Sequence, residues 1–135
     1  MPTRPIILFV CEHGAAKSVI AATYFNKLAI ENGLGLRAVS RGTTPDETLS
    51  AKAVAGLAND GLTPSESSPQ KLSPADIDSA HMIVSFCDLS SEEYRRDILI
   101  EQRDDVPPVS QNYEIARDAI LANLNRLMEK INTQD

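Results

Sequence analysis

Apolar residues form one continuous run near the start of the chain, from Pro5 to Val10. A run of this length is typical of a strand buried on both faces, as in a parallel sheet. From Lys17 to the stop signal Gly33, apolar residues instead recur at helical spacing, at Ala21, Tyr24, Phe25 and Leu28. Residues 5–33 are therefore predicted to form a strand, a short loop and a helix.

The alternation of strand and helix continues along the chain. Residues 36–40 predict a second strand, 49–59 a second helix, and 81–86 a third strand. Residues 63–70 are rich in Ser and Pro and indicate a loop, while Ser73-Pro74 is typical of a helix N-cap followed by proline. For residues 90–100 the pattern does not decide between a helix and a strand.

The last element is predicted to be a long amphipathic helix capped by Ser110. Its apolar positions step by three and four, at Tyr113, Ala116, Ile120, Leu124, Leu127 and Ile131. The chain is therefore expected to form one domain over residues 1–135, of the α/β class with a mostly parallel sheet.

Composition narrows the classes of function. Of 135 residues, 42% are apolar, which is enough for one core without disulfides or a structural metal. The net charge of −6 argues against nucleic acid as a partner, because phosphate neutralisation needs a basic face. The two cysteines lack the spacing of a zinc site. Since the apolar run is short and no signal-peptide cleavage site follows it, we expect a cytoplasmic protein without membrane contact.

Candidate chemistry lies in the loop after the first strand, Cys11-Glu12-His13-Gly14-Ala15-Ala16-Lys17-Ser18. In open parallel sheets, ligands bind beyond the carboxyl ends of strands, where the next helix presents unpaired N–H groups. A loop of small residues can turn these N–H groups toward an anion, and the helix dipole favours a thiolate at the same place. The sequence thus predicts a cysteine nucleophile and an oxyanion site in one loop.

Two other interpretations stay open at this point. A cysteine that ends a buried strand is often only a small core residue. Lys17-Ser18 also matches the end of the nucleotide-binding motif G-x-x-x-x-G-K-[ST], although Cys11 and Ala16 occupy the two glycine positions that the motif needs.

The loop resembles the Cys-x5-Arg-Ser loop of low-molecular-weight protein tyrosine phosphatases, and the related loop of thiol-dependent arsenate reductases. Ser40-Arg41-Gly42-Thr43, residues 82–88 and Val106-Pro107-Pro108-Val109 are similar to further segments of that superfamily. The resemblance implies a four-stranded parallel sheet flanked by helices. It also implies that Cys11 is the nucleophile, that Ser18 stabilises its thiolate, and that backbone amides hold the oxyanion, at Glu12, His13, Gly14, Ala15, Ala16 and Lys17.

Three positions depart from the family's pattern. Lys17 stands where the family has arginine, so a planar fork is replaced by a mobile point charge. Gly14 stands where the family has asparagine, and glycine preserves a backbone with positive φ. Pro108 stands where the family has its general-acid aspartate, and proline has no proton to donate. Asp104 and Asp105 are candidate surrogate acids, with a solvated acidic turn as the alternative.

The resemblance leaves three functions to distinguish. The first is a cysteine-dependent phosphatase that hydrolyses phosphomonoesters, including phosphotyrosine in a phosphoprotein, through a phosphocysteine. The second is an arsenate reductase in which Cys87 is the resolving thiol, although Cys87 is also explained as a buried cysteine at the end of the third strand. The third is a catalytically silent module that binds phosphate, sulfate or arsenate-like oxyanions. None of the three needs a metal or a nucleotide cofactor.

Overall fold

The computed structural model describes residues 5–64, 66–87, 99–102 and 106–133. The elements in these ranges are four strands and four helices: β1 (Ile6–Cys11), α1 (Lys17–Glu31), β2 (Arg37–Gly42), α2 (Ala51–Asn59), α3 (Pro74–Ser79), β3 (Ala80–Ser85), β4 (Leu99–Gln102) and α4 (Tyr113–Thr133). A search of the same ranges for a helix both long and apolar enough to cross a membrane finds none.

The strands form one sheet in the order β2-β1-β3-β4. Each neighbouring pair is parallel, with Cys11 opposite Gly42 at the carboxyl end of β1 and β2. The expected four-stranded parallel sheet flanked by helices is therefore confirmed. Because β1 is central, its carboxyl end opens between two neighbouring strands, which is where this class of sheet binds ligands.

Alternate residues of β1 enter two different cores. Ile7, Phe9 and Cys11 pack on the face covered by α1, α2 and α4, whereas Leu8 and Val10 pack on the face covered by α3. Both faces exclude solvent, so every position from Ile7 to Val10 is apolar and fully buried. This packing explains the continuous apolar run in the sequence. It also sends the Cys11 side chain to the same face as α1.

Two boundaries differ from the sequence prediction. The cap of the last helix is not Ser110, because that helix begins at Tyr113 and the Asn112 side chain accepts a hydrogen bond from the Ile115 N–H at 3.1 Å. Asn and Ser serve equally well at this position, so composition alone does not choose between them. In the stretch left open, β4 occupies Leu99–Gln102, and residues 88–98 lie outside the described ranges.

Asp60, directly after α2, ties together the three helices on the Cys11 side of the sheet. Its carboxylate accepts hydrogen bonds from the hydroxyls of Tyr24 in α1 and Tyr113 in α4, and it pairs with Arg117 at 3.1 Å. Burial and the hydrogen bond to this carboxylate raise the pKa of Tyr24 to about 12. Gly56 lies beneath the Tyr113 ring, where a Cβ atom would come within 2.4 Å of it. This cluster fixes the helices on which the candidate site is built.

Candidate active site

The Cys11–Ser18 loop joins the end of the central strand to the first turn of α1. Lys17 is the first residue of the helix, and the residue before it, Ala16, provides no side-chain cap. The first N–H groups of a helix have no partner within the helix, and a side-chain cap ordinarily satisfies part of them. The local sequence therefore leaves the amino-terminal N–H groups of α1 available to another acceptor.

The carbonyl groups of the loop are bound by the segment after β2, residues 43–50. Thr43 N–H donates to the Cys11 carbonyl at 3.2 Å, Thr44 N–H to Glu12 at 2.7 Å, Asp46 N–H to His13 at 3.0 Å, and Ser50 N–H to Ala15 at 2.9 Å. In a trans peptide the C=O and the following N–H point in opposite directions. Fixing the carbonyls toward residues 43–50 therefore turns the following N–H groups the other way, at Glu12, His13, Gly14 and Ala16.

These N–H groups have no competing use within the described ranges. The backbone amides of residues 12–17 donate to no acceptor there. Converging amides at a helix amino terminus form a site for an anion, because their partial positive charges add to the helix dipole. The arrangement can bind a tetrahedral oxyanion through main-chain groups alone.

Two glycines allow the loop to approach the second strand. Gly14 has φ of 61°, and a Cβ atom placed on it would lie 2.9 Å from the Gly42 nitrogen. A Cβ atom on Gly42 would lie 2.6 Å from the Gly14 nitrogen. Side chains essentially never come so close to backbone atoms, so each glycine is required by the other. Positive φ at Gly14 agrees with the expectation for the position where the family has asparagine.

The Cys11 sulfur lies at the base of the loop. Cys11 is 7% exposed, and its Sγ is 3.0 Å from Oγ of Ser18, which is fully buried in the first turn of α1. A serine hydroxyl can donate to a thiolate, and a hydrogen bond to the charged form favours that form. Cys11 both packs in the core and lines a cleft. Its role as a nucleophile stays a prediction.

The cleft has a volume of about 470 Å³ and is lined by both polar and aromatic groups. Its walls come from the loop, the segment after β2, the end of β3 and the segment before α4: Cys11, Glu12, His13, Ala15, Ala16, Lys17, Asp46, Ser50, Phe86, Cys87, Pro108, Val109 and Ser110. Gly14 and Ser18, which the sequence analysis also selected, do not line the cleft. Gly14 packs against Gly42, and Ser18 contacts the Cys11 sulfur.

Lys17 lines the cleft at the position of the family's arginine. Arg41, near the carboxyl end of β2, does not replace the missing group, because its guanidinium is 2.7 Å from Glu66 and 3.1 Å from Asp76. Ser40 adds hydrogen bonds to the same Glu66 carboxylate. The role of Lys17 in binding an oxyanion stays a prediction.

An acidic rim surrounds His13 at the mouth of the cleft. The Nδ1 atom of His13 is 3.2 Å from Oδ1 of Asp46, and its Nε2 atom is 3.8 Å from Oε2 of Glu12. Sequence reasoning missed Asp46. The available signal was its position after the second strand, because the loops that follow adjacent parallel strands meet at one edge of the sheet.

Cys87 lines the same cleft as Cys11, and both thiols are free. Burial raises the pKa of the Cys87 thiol, and the neighbouring charge of Cys11 raises it further, against a lowering by the hydrogen bond from Ser85. A smaller thiolate fraction makes Cys87 a slower nucleophile at neutral pH. The structure brings the two cysteines to one site without assigning Cys87 a redox role.

The position of the family's acid is occupied by Pro108, which lines the cleft. The surrogate acids considered from sequence, Asp104 and Asp105, lie outside the described residues. Across the described ranges, no group of three or more His, Cys, Asp or Glu side chains is placed to hold a metal ion.

Comparison with known proteins gives a family and a set of related folds. Residues 6–119 match the family model of low molecular weight phosphotyrosine protein phosphatases. YfkJ from Bacillus subtilis superimposes with a TM-score of 0.86 at 19% identity, covering 99% of this chain and 98% of YfkJ. A low molecular weight protein tyrosine phosphatase from T. tengcongensis gives 0.80 at 22% identity, over 93% and 99% of the two chains.

An arsenate reductase from Archaeoglobus fulgidus is also similar, with a TM-score of 0.70 and 25% identity over 93% of this chain and 97% of the reductase. No curated protein sequence matches significantly. Phosphatases and arsenate reductases thus share this fold, and the likeness does not choose between their reactions.

The contact between Gly14 and Gly42 gives a prediction with a matched control. Gly14→Ala and Gly33→Ala both place alanine at positive φ, but a Cβ atom on Gly33 meets nothing within 4 Å. We expect Gly33→Ala to lower the free energy of unfolding by about 1 kcal/mol from backbone strain. Gly14→Ala should cost at least about 1 kcal/mol more, because the loop must move from β2.

The measurement is urea unfolding of both variants, with phosphate protection of Cys11 against alkylation as a second readout. Equal losses of stability and unchanged protection in both variants would contradict the close contact.

Proposed function

Because the chain belongs to the low molecular weight phosphotyrosine protein phosphatase family, we propose that it hydrolyses phosphomonoesters through a phosphocysteine at Cys11. The observation that carries the proposal is the Cys11–Ser18 loop, with Sγ 3.0 Å from Ser18 Oγ and the surrounding amides unused by the described residues. A receptor that only binds an anion needs no nucleophile at its base.

In the proposed reaction the loop amides hold the non-bridging oxygens of the phosphate, and the Cys11 thiolate attacks phosphorus. Ser18 stabilises the thiolate before attack and again when it leaves. A covalent intermediate divides hydrolysis into two displacements, with water as the second nucleophile. Preorganised amides stabilise the charge that develops on the phosphoryl oxygens, which is often the largest single contribution to catalysis.

The cleft sets the class of substrate. A volume of about 470 Å³ lies within the range of small-molecule sites, and Phe86 provides an aromatic wall. An aryl phosphate, such as phosphotyrosine in a phosphoprotein, fits this description. Inorganic phosphate, sulfate and arsenate are expected to occupy the loop as simple oxyanions, and the reaction as proposed uses only side chains, amides and water.

Lys17 is expected to weaken the site without abolishing it. Relative to a bidentate arginine, the loss of one charge-assisted hydrogen bond is worth roughly 1.5–3 kcal/mol. That energy corresponds to a rate or affinity lower by about ten- to a hundredfold.

The test is turnover of p-nitrophenyl phosphate by the wild type and by Cys11→Ser. We expect phosphate release by the wild type and only background by the variant, because serine is a far weaker nucleophile at neutral pH. A burst of p-nitrophenol equal to the enzyme concentration would identify the covalent intermediate.

An equal, background-level rate for both proteins would contradict the proposal. If sulfate still protected Cys11 of that inactive wild type from alkylation, the silent oxyanion-binding module would be the correct function. The replacement of both the loop arginine and the acid by Lys17 and Pro108 is the sequence feature that favours this outcome.

Arsenate reduction is the second candidate, and it is favoured by the presence of Cys87 in the Cys11 cleft. Cys11 would bond to arsenic(V), and the Cys87 thiolate would then attack Cys11 Sγ. As the S–S bond forms, the S–As bond breaks and leaves its electron pair on arsenic, so the two thiols are oxidised to a disulfide and arsenic(V) departs as arsenite. Burial raises the pKa of the Cys87 thiol, which lowers its thiolate fraction for this attack at neutral pH.

Peptide mapping after incubation with arsenate tests this branch. Arsenate reduction predicts a disulfide between Cys11 and Cys87 that forms with arsenate and not with phosphate, and Cys87→Ser is the matched control. Two free thiols after arsenate exposure would eliminate the intramolecular reaction while leaving the phosphatase proposal intact.

A further inference from the structure

The proposed phosphatase reaction needs a proton donor that the family position does not supply. Nucleophilic displacement at phosphorus proceeds in line, so the leaving oxygen departs opposite Cys11 Sγ, toward the mouth of the cleft. Pro108 lines that region and has no proton to donate. A positioned acid is typically worth about 10²- to 10⁴-fold, so an active enzyme with poor leaving groups requires another donor.

His13 is the imidazole that lines this cleft, and it is held from two directions. Its carbonyl accepts the Asp46 N–H at 3.0 Å, and its Nδ1 atom lies 3.2 Å from the Asp46 carboxylate. The main chain of Asp46 thus fixes the backbone of His13, and the Asp46 side chain fixes the His13 ring. Such a carboxylate on one ring nitrogen sets the orientation of the imidazole. The Glu12 carboxylate is 3.8 Å from Nε2, which is beyond hydrogen-bond distance, so Nε2 can still donate to a substrate.

The location of His13 at the rim suits the leaving group better than the phosphoryl group. Its side chain is 57% exposed, whereas Cys11 is buried at the base of the same loop. Among the residues that the structure describes, the charged and titratable groups that share the cleft are Glu12, Lys17, Asp46, Cys11 and Cys87. A carboxyl group keeps its proton near neutral pH only where burial or a like charge favours the neutral form, and the Glu12 and Asp46 side chains are 66% and 55% exposed. An imidazole exchanges a proton in that range without such an environment.

We infer that His13 is the general acid and base of this enzyme and that Asp46 is its positioning residue. The inference rests on the proposed function of Cys11. In the first step the thiolate bonds to phosphorus, the ester P–O bond breaks, and the proton on His13 Nε2 moves to the leaving oxygen. In the second step Nε2 takes a proton from water as the water oxygen bonds to phosphorus, the S–P bond breaks, and inorganic phosphate leaves.

The test compares two aryl phosphates that differ in their need for an acid. 2,4-Dinitrophenolate leaves without protonation, whereas phenolate leaves poorly. For His13→Gln, we expect kcat/KM to fall about a hundredfold or more with phenyl phosphate and to change little with 2,4-dinitrophenyl phosphate. We use kcat/KM because it reports the steps up to phosphocysteine formation, where the leaving group departs.

Asp46→Asn should lower kcat/KM less than His13→Gln does, again mainly with phenyl phosphate. Asp46→Glu should restore part of the kcat/KM that Asp46→Asn loses. Glu47→Gln removes the same charge at the exposed neighbouring position and leaves the contact between Asp46 and the His13 ring in place. This variant should retain the wild-type ratio of kcat/KM between the two aryl phosphates. If Asp46 had a purely structural role, its substitution would instead lower kcat/KM equally with both aryl phosphates.

The outcomes separate this inference from the proposed function. If the wild type turns over both esters and His13→Gln loses the same factor with each, or loses nothing, His13 is not the acid and the Cys11 reaction stands. If the wild type turns over neither ester, the proposed function fails and the inference fails with it.

Discussion

The site depends on four hydrogen bonds that hold the carbonyls of the Cys11–Ser18 loop against residues 43–50. Peptide geometry converts this constraint into function, because each fixed carbonyl turns the next amide toward the cleft. Under the proposed function, these amides bind the oxyanion without requiring an ordered side chain. The parallel pairing of β1 and β2 sets the distance between the two segments, and the glycine contact at Gly14 and Gly42 allows them to meet.

Under the proposed function, this main-chain basis accounts for a site that departs from the family pattern. Side chains that add to binding have changed, at Lys17 and Pro108, while the elements that orient the amides remain. Ser18 is fully buried and fixed by the first turn of α1, so its hydroxyl stays next to the sulfur whatever occupies the rim. At the rim, His13 and Asp46 contact each other at 3.2 Å in exposed segments, where substitution costs little stability.

Much of the fold could be predicted from local patterns. The run from Pro5 to Val10 located the central strand, and Ser73-Pro74 located α3, whose capping box joins Ser73 and Asp76. The prediction that Ser110 caps α4 was wrong. Ser and Asn are equally good caps, so the residue that caps this helix depends on where the backbone becomes helical. The Cys11–Ser18 loop could be predicted because the candidate nucleophile, the small residues and the start of the helix are contiguous in the sequence.

Other parts of the site arise from contacts between distant residues. Gly42 is required by Gly14, and Asp46 meets His13 across the gap between two strands. Neither pairing has a local signature, since it depends on the register of β1 with β2. The same is true of Phe86, which reaches the cleft from the end of β3, whereas its neighbour Cys87 was already a candidate from the family resemblance.

The most direct test of this account is a phosphate titration of the protein labelled with ¹⁵N, followed by amide chemical shifts. The account predicts saturable shifts concentrated on the backbone N–H groups of residues 12–17, with smaller effects elsewhere in the cleft. Saturable binding with no shift at these amides, or shifts confined to residues outside the cleft, would contradict the claim that the main chain of this loop holds the oxyanion.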